Sequence, residues 1–280
     1  MDIDTLPRQT CRFLSALTNI KSIWVDLVNQ HISGIVDRPP LLERPITLYT
    51  SDELRSLFLL WKSAHIGLTS EDGRPARERR FIAERSKFVY LVRGGRWLLV
   101  ATYTGLVMYY DLDAEIIEGA LLIPEQSKPV SHFLMSVDVD TNSPTLRFNI
   151  AFSLHVARPK KNMVHVWRVD CLLDGNQRVN GLKATPLSSF PHRPMISSVM
   201  KLSLAGPHIA FTAKREDSEP HLAHIFVLDW DRANGDSAVY PWRMLHLGHL
   251  KVRSSCFVLS VFIYRAFSVP RQYFFFLATE

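Results

Sequence analysis

Cysteine is scarce in this sequence: three in 280 residues, Cys11, Cys171 and Cys256, with no CxxC pair. That rules out a disulfide scaffold and a thiolate zinc cluster, and an odd number of thiols fits a reducing compartment, cytoplasmic or nuclear. Only 12 glycines are present, and none has the GxGxxG or GxxxxGK[ST] spacing that cradles a phosphate. No GxSxG elbow occurs, so the commonest serine-hydrolase signature is missing as well. Long apolar runs are absent: the longest, Cys256 to Tyr264, has nine residues and is broken by Ser260, too short to span a bilayer. The chain starts Met1-Asp2-Ile3-Asp4, which is no secretory leader. An excess of one charge is also missing. Lys+Arg 33 against Asp+Glu 27 leaves +6, and the last 40 residues hold five of those cations (Arg243, Lys251, Arg253, Arg265, Arg271) against one anion, Glu280. The remainder is nearly neutral, so neither nucleic acid nor a membrane is expected as a partner.

What is present is a chain of two textures, with 47% hydrophobic residues, enough for a substantial core. The first seventy residues have helical spacing. Arg8 to Leu17 carries Cys11, Phe13, Leu14 and Leu17; a second helix, with Ser22 as its expected N-cap, presents Ile23, Trp24, Leu27, Val28 and Ile32 before Gly34. Thr50-Ser51-Asp52-Glu53 fits a capping box, and Leu54, Leu57, Phe58, Trp61, Ala64, His65 and Leu68 then fall on one helical face. Residues 71–87 interleave six cations with four anions and read as a solvated linker. From Phe88 the period becomes strand-like. Phe88 to Val92, Trp97 to Ala101 and Leu106 to Leu112 are short β-rich runs separated by Gly94-Gly95 and Thr104-Gly105, as in hairpins, and Ile116 to Ile123 supplies a fourth. Four antiparallel strands in that length are the content of one propeller blade.

A repeat supports the same reading. Val107-Met108-Tyr109-Tyr110-Asp111-Leu112-Asp113, Val164-His165-Val166-Trp167-Arg168-Val169-Asp170 and Ile225-Phe226-Val227-Leu228-Asp229-Trp230-Asp231 align without gaps, 57 and 61 residues apart (170 − 113 and 231 − 170). Tyr110, Asp111, Asp113, Trp167, Asp170, Asp229 and Asp231 are therefore structural repeat positions, the aspartates accepting backbone N–H groups at tight turns. Among the 11 histidines, His221/His224 and His246/His249 have i, i+3 spacing, but they fall in segments read as loop or strand start and are expected at the surface, not on a metal. No metal, cofactor or catalytic residue is expected, although some propellers are hydrolases with carboxylate or metal sites in the central channel.

Thr10-Cys11-Arg12-Phe13, Leu17 and Ile23-Trp24-Val25-Asp26-Leu27 resemble the second half of an F-box. Gly94-Gly95-Arg96-Trp97-Leu98-Leu99-Val100, Thr104-Gly105-Leu106-Val107 and Tyr110-Asp111-Leu112 are similar to a degenerate WD repeat. Together they resemble the F-box and WD-like propeller proteins abundant in mushroom-forming fungi, with the F-box incomplete on its N-terminal side and the propeller incomplete on its C-terminal side. The fold expected is α+β by segregation. It comprises partial F-box-like helices (1–36), a connecting segment with an amphipathic helix (37–70), the linker (71–87) and a mainly antiparallel, partial WD-like β-propeller (88–280) of about three to four blades. The blades fall at about 88–123, 129–187 and 192–248, with a remnant at 249–280 that has the look of a gene-model artefact. The resemblance implies a non-catalytic subunit that recruits a substrate protein to a Skp/cullin/F-box ubiquitin ligase, with Leu14, Leu17, Ile23, Trp24 and Leu27 on the Skp-type adaptor. A propeller-type interaction scaffold without ligase role is the alternative.

Overall fold

The computed structural model describes residues 19–34, 41–69, 86–126, 132–156, 161–192, 196–215, 224–233 and 242–246. By internal contacts the chain divides into two compact units. One comprises Met1–Ile82 with Thr141–Leu146 and Cys171–Gly181; the other comprises Ala83–Asp140, Arg147–Asp170 and Leu182–Glu280.

The helical unit contains α1 (Lys21–Ser33), a 3-10 turn (Ile46–Leu48) and α2 (Ser51–Thr69). Ser22 is not the N-cap of α1. The cap is Ile20, with no side-chain hydrogen bond, and Ser22 lies inside the first turn. The helix is anchored there by Lys21, whose ammonium donates to the Thr47 carbonyl at 2.8 Å. The α2 start is as the sequence indicates. The Thr50 N–H donates to Glu53 Oε2 (2.8 Å), and the Glu53 N–H donates to Thr50 Oγ1 (3.2 Å), so two otherwise orphaned donors are satisfied reciprocally. Trp24, Val28, Leu42 and Leu54 form the buried cluster of this unit, with Leu27, Leu57, Phe58 and Trp61 packed against it.

One charged residue organises the rest of the helical unit. Arg44 is 6% exposed and sits 2.7 Å from Glu53 Oε1. It also donates to the Gln177 carbonyl at 2.6 Å and lies over the Tyr49 ring at 4.3 Å. Partial burial pushes the Glu53 carboxyl up, but the hydrogen bonds from the Thr50 N–H and Arg44 outweigh it and hold Glu53 below the usual carboxylate range. The Leu146 N–H donates to the Leu42 carbonyl at 2.6 Å, so both sequence-distant segments of the unit are tied in by hydrogen bonds.

The other unit carries three four-stranded sheets, each of consecutive strands in spatial order, except that the hairpin end at 171–181 belongs to the helical unit. Sheet I holds β1 (Phe88–Leu91), β2 (Trp97–Ala101), β3 (Val107–Asp111) and β4 (Gly119–Ile123). Sheet II holds β5 (His132–Val139), β6 (Arg147–Val156), β7 (Lys161–Leu173) and β8 (Val179–Pro191). Sheet III holds β9 (Ile196–Ala205), β10 (His208–Arg215), β11 (His224–Asp229) and β12 (Trp242–His246). The expected segregation of helices from antiparallel sheets is therefore present. Gly94, Gly95 and Gly105 have φ of +101°, +81° and +77° in the tight turns of sheet I, conformations that L side chains rarely adopt.

Alternation along the strands sends one face of each into the interior. Val164, Val166 and Phe190 of sheet II share a cluster with Leu202, Leu204, Ile209, Phe211, Phe226 and Leu228 of sheet III. Phe211 and Phe226 stack with centroids 5.3 Å apart. The first strands of neighbouring sheets also meet, β1 with β5 and β5 with β9. Ser136 Oγ accepts the Leu204 N–H (3.0 Å), and Asp138 Oδ2 accepts the Gly206 N–H (2.7 Å). Burial raises the Asp138 pKa, with the Gly206 N–H and the Arg93 charge opposing it. No described helix is long and apolar enough to cross a membrane.

Candidate functional site

The recurrent aspartates do something the sequence did not specify. Asp111 takes both ends of the Arg96 guanidinium, at 3.0 Å from Nε and 2.8 Å from Nη2, and accepts the Asp113 N–H at 2.9 Å. Burial pushes its carboxyl up, but the Arg96 pair more than offsets this and holds it below the usual range. Asp170 lies directly across from Arg147, 2.6 Å from its Nε, and raises the Arg147 pKa. Asp229 lies directly across from His208, 3.2 Å from its Nδ1, with Arg232 at 3.4 Å. In each sheet, then, an aspartate near the end of the third strand pairs with a basic side chain at or just before the start of the second, although Asp170 is followed by three more residues of β7 and Asp111 is in register with Trp97, not Arg96. Among the described residues, turn capping by a recurrent aspartate is seen at Asp111, as an addition to its cross-strand pair. Asp113 and Asp231 are exposed, whereas Trp167 is half-buried opposite Ile150. Tyr110 is 9% exposed and packs on Gly119, where a Cβ would come within 2.9 Å of its ring.

The structural equivalents are thus Asp111, Asp170 and Asp229, spaced evenly (170 − 111 and 229 − 170 are both 59). The gapless sequence alignment is displaced by two residues in its middle repeat.

Of the residues assigned to an adaptor, Leu14 and Leu17 lie outside the described set. Trp24 is buried, its ring 6.1 Å from Phe58, and Leu27 packs against the same cluster. Ile23 is half-exposed. The i, i+3 histidines also differ from expectation. His224 is 4% exposed, not a surface residue, because it shares the inward face of β11 with Phe226 and Leu228. His221 and His249 lie outside the described residues, as do most of the 71–87 linker and residues 249–280.

A polar row in sheet II had no sequence signal. His132 on β5 is directly across from His155 on β6, which is directly across from Asn162 on β7. The His192 N–H, one residue past β8, donates to the Asn162 carbonyl at 2.8 Å and completes the row. The His192 ring reaches Ser153 Oγ at 2.9 Å from Nε2 and meets the Phe211 ring edge-on at 5.1 Å. Burial, and then the charge of His155, brings His192 down to about 4. His192 Nδ1 and Asn162 Oδ1 are buried with no hydrogen-bond partner among the described residues. A cavity of about 360 Å³ opens beside the row, lined by His132, His155, Val199 and Met200. The histidines stand far apart in sequence and at strand ends, so only the pairing register reveals them as neighbours.

Among the described residues no three His, Cys, Asp or Glu side chains are grouped to hold a metal ion. No protein-family model matches this chain. No curated protein is significantly similar to it. What the described residues define is a class of architecture, helices followed by three antiparallel four-stranded sheets.

Proposed function

We propose that this chain is a non-catalytic protein-interaction module whose three sheets are successive blades of a WD-like propeller. The observation that carries this reading is the adjacency of first strands, β1 with β5 and β5 with β9, since radial blades meet along their innermost strands. The threefold recurrence of the cross-strand aspartate pair supports equivalence of the blades. Proteins are favoured over nucleic acids as partners because Arg44, Arg96 and Arg147 are each engaged with a carboxylate. Exposed Val89, Leu91 and Leu121 add apolar surface on sheet I, on strands β1 and β4.

In the form favoured by the N-terminal resemblance, the module recruits a substrate protein to a Skp/cullin/F-box ligase. Co-purification with a functional Skp-type adaptor, weakened by Ile23→Asp, is the expected result. No retention on that adaptor overturns the ligase form and leaves the scaffold. Hydrolysis of generic ester, peptide or phosphate substrates by the purified chain would overturn the non-catalytic reading itself.

A further inference from the structure

We propose that the cavity beside the histidine row is a copper(I) site, with His132, His155 and Met200 as its ligands. Directly opposed residues on antiparallel strands have Cβ atoms about 4.5–5.5 Å apart, so His132 and His155 can offer two imidazoles to one ion. The third donor comes from sheet III by a specific backbone device. Lys201 pairs with Thr212 and Val199 with Ala213, which leaves Met200 as the extra residue of a β-bulge. Regular alternation would send Val199 and Met200 to opposite faces; the bulge lets both line the same cavity. Bulges recur beside functional sites because they re-aim a side chain in this way.

The donor set selects the metal. Imidazole suits zinc, copper, nickel and iron alike, but a thioether is soft and favours copper in its cuprous state. Calcium and magnesium take oxygen ligands, and among the described residues that line the cavity the donors are imidazole and thioether. Asn162, next to His155 in the row, contributes a buried amide oxygen with no partner among the described residues, the type of acceptor that fixes the second nitrogen of a liganding imidazole. The cavity's about 360 Å³ leaves room beside the ion for a further small ligand.

The test is anaerobic competition between the full chain and the cuprous chelator bicinchoninate, with excess ascorbate as reductant. One equivalent of copper(I) is expected to be held at neutral pH. The H132A/H155A variant should lose about 100-fold or more in affinity, at least the effect of removing an outer-shell partner. M200L, which keeps the volume, should weaken copper(I) about 10-fold while leaving zinc(II) binding unchanged. Because Cys11, Cys171 and Cys256 can also bind copper(I), the titration is repeated on C11S/C171S/C256S after its circular dichroism and melting match the wild type. Retention of the equivalent in that variant supports the site. Loss of the equivalent there, wild-type affinity in H132A/H155A, or equal weakening of zinc and copper in M200L overturns it.

Discussion

The two units solve the same stability problem with opposite means. Among its described residues the helical unit buries a small apolar cluster (Trp24, Val28, Leu42 and Leu54), Leu146 and a guanidinium, and Arg44 holds a helix start, a ring and a carbonyl at once. The sheet unit buries a broad aromatic and aliphatic interior and keeps its arginine pairs half-exposed at strand ends. A small interior leaves little apolar area to bury, so a polar node must specify the arrangement there. A large interior specifies itself by packing, and its ion pairs become accessories.

The comparison can be broken most forcefully at Phe226, which is 1% exposed, stacked on Phe211 and tilted against Trp242. Phe226→Ala should cost the sheet unit about 3–5 kcal/mol, read from urea unfolding, while amide exchange in α1 and α2 stays unchanged. Acid should act next. An unfolded histidine takes its proton near 6.5, but folded His192 does so at about 4, so the unfolded state binds the proton first as pH falls. Stability is full above pH 6.5, declines between 6.5 and 4, and loses about 3 kcal/mol through this residue. His165, brought down to about 4 by burial, steepens the same window. Urea melts at pH 7 and pH 4.5 should show a loss that shrinks in His192→Gln; equal losses in both proteins would contradict this.

Arg44→Met should cost about 2 kcal/mol, less than a fully buried pair because Glu53 is one-third exposed. Its loss of amide protection should be confined to the helical unit, including 141–146 and 171–181. Smallest is Arg147→Gln. Its partner is 39% exposed, so a change under about 1 kcal/mol is expected in the same urea assay. A larger effect there would mean that the strand-end pairs help to specify the sheets after all.

Some of this was legible in the sequence because it depends on neighbours along the chain. The Thr50/Glu53 box, the Leu54–Leu57–Phe58–Trp61 face and the glycine turns of sheet I are local patterns, and each appears where its spacing puts it. The repeat was legible only modulo two. Sliding the middle segment by two residues keeps every side chain on its face, so periodicity cannot distinguish Asp170 aligned with Asp113 from Asp170 aligned with Asp111. The cross-strand cation decides it. The Arg44 node, the His132–His155–Asn162–His192 row and the Met200 bulge depend on partners tens of residues away, and nothing in their local sequence announces them. The inward turn of His224 depends on which face of β11 it takes, and a strand start read from local sequence leaves both faces open.

The order of strands has a consequence for how the chain is made. β1 to β4, β5 to β8 and β9 to β12 each complete a sheet from consecutive residues, so most strand pairing closes short loops. Short loops are cheap to close and quick to find, which favours rapid pairing within a sheet. On the ribosome, sheet I can finish pairing before β5 has been synthesised, and sheet II before β9. Docking of one sheet's apolar face on the next then becomes the slow, aggregation-exposed step, and Val164, Val166 and Phe190 of sheet II are side chains that must wait for sheet III to cover them.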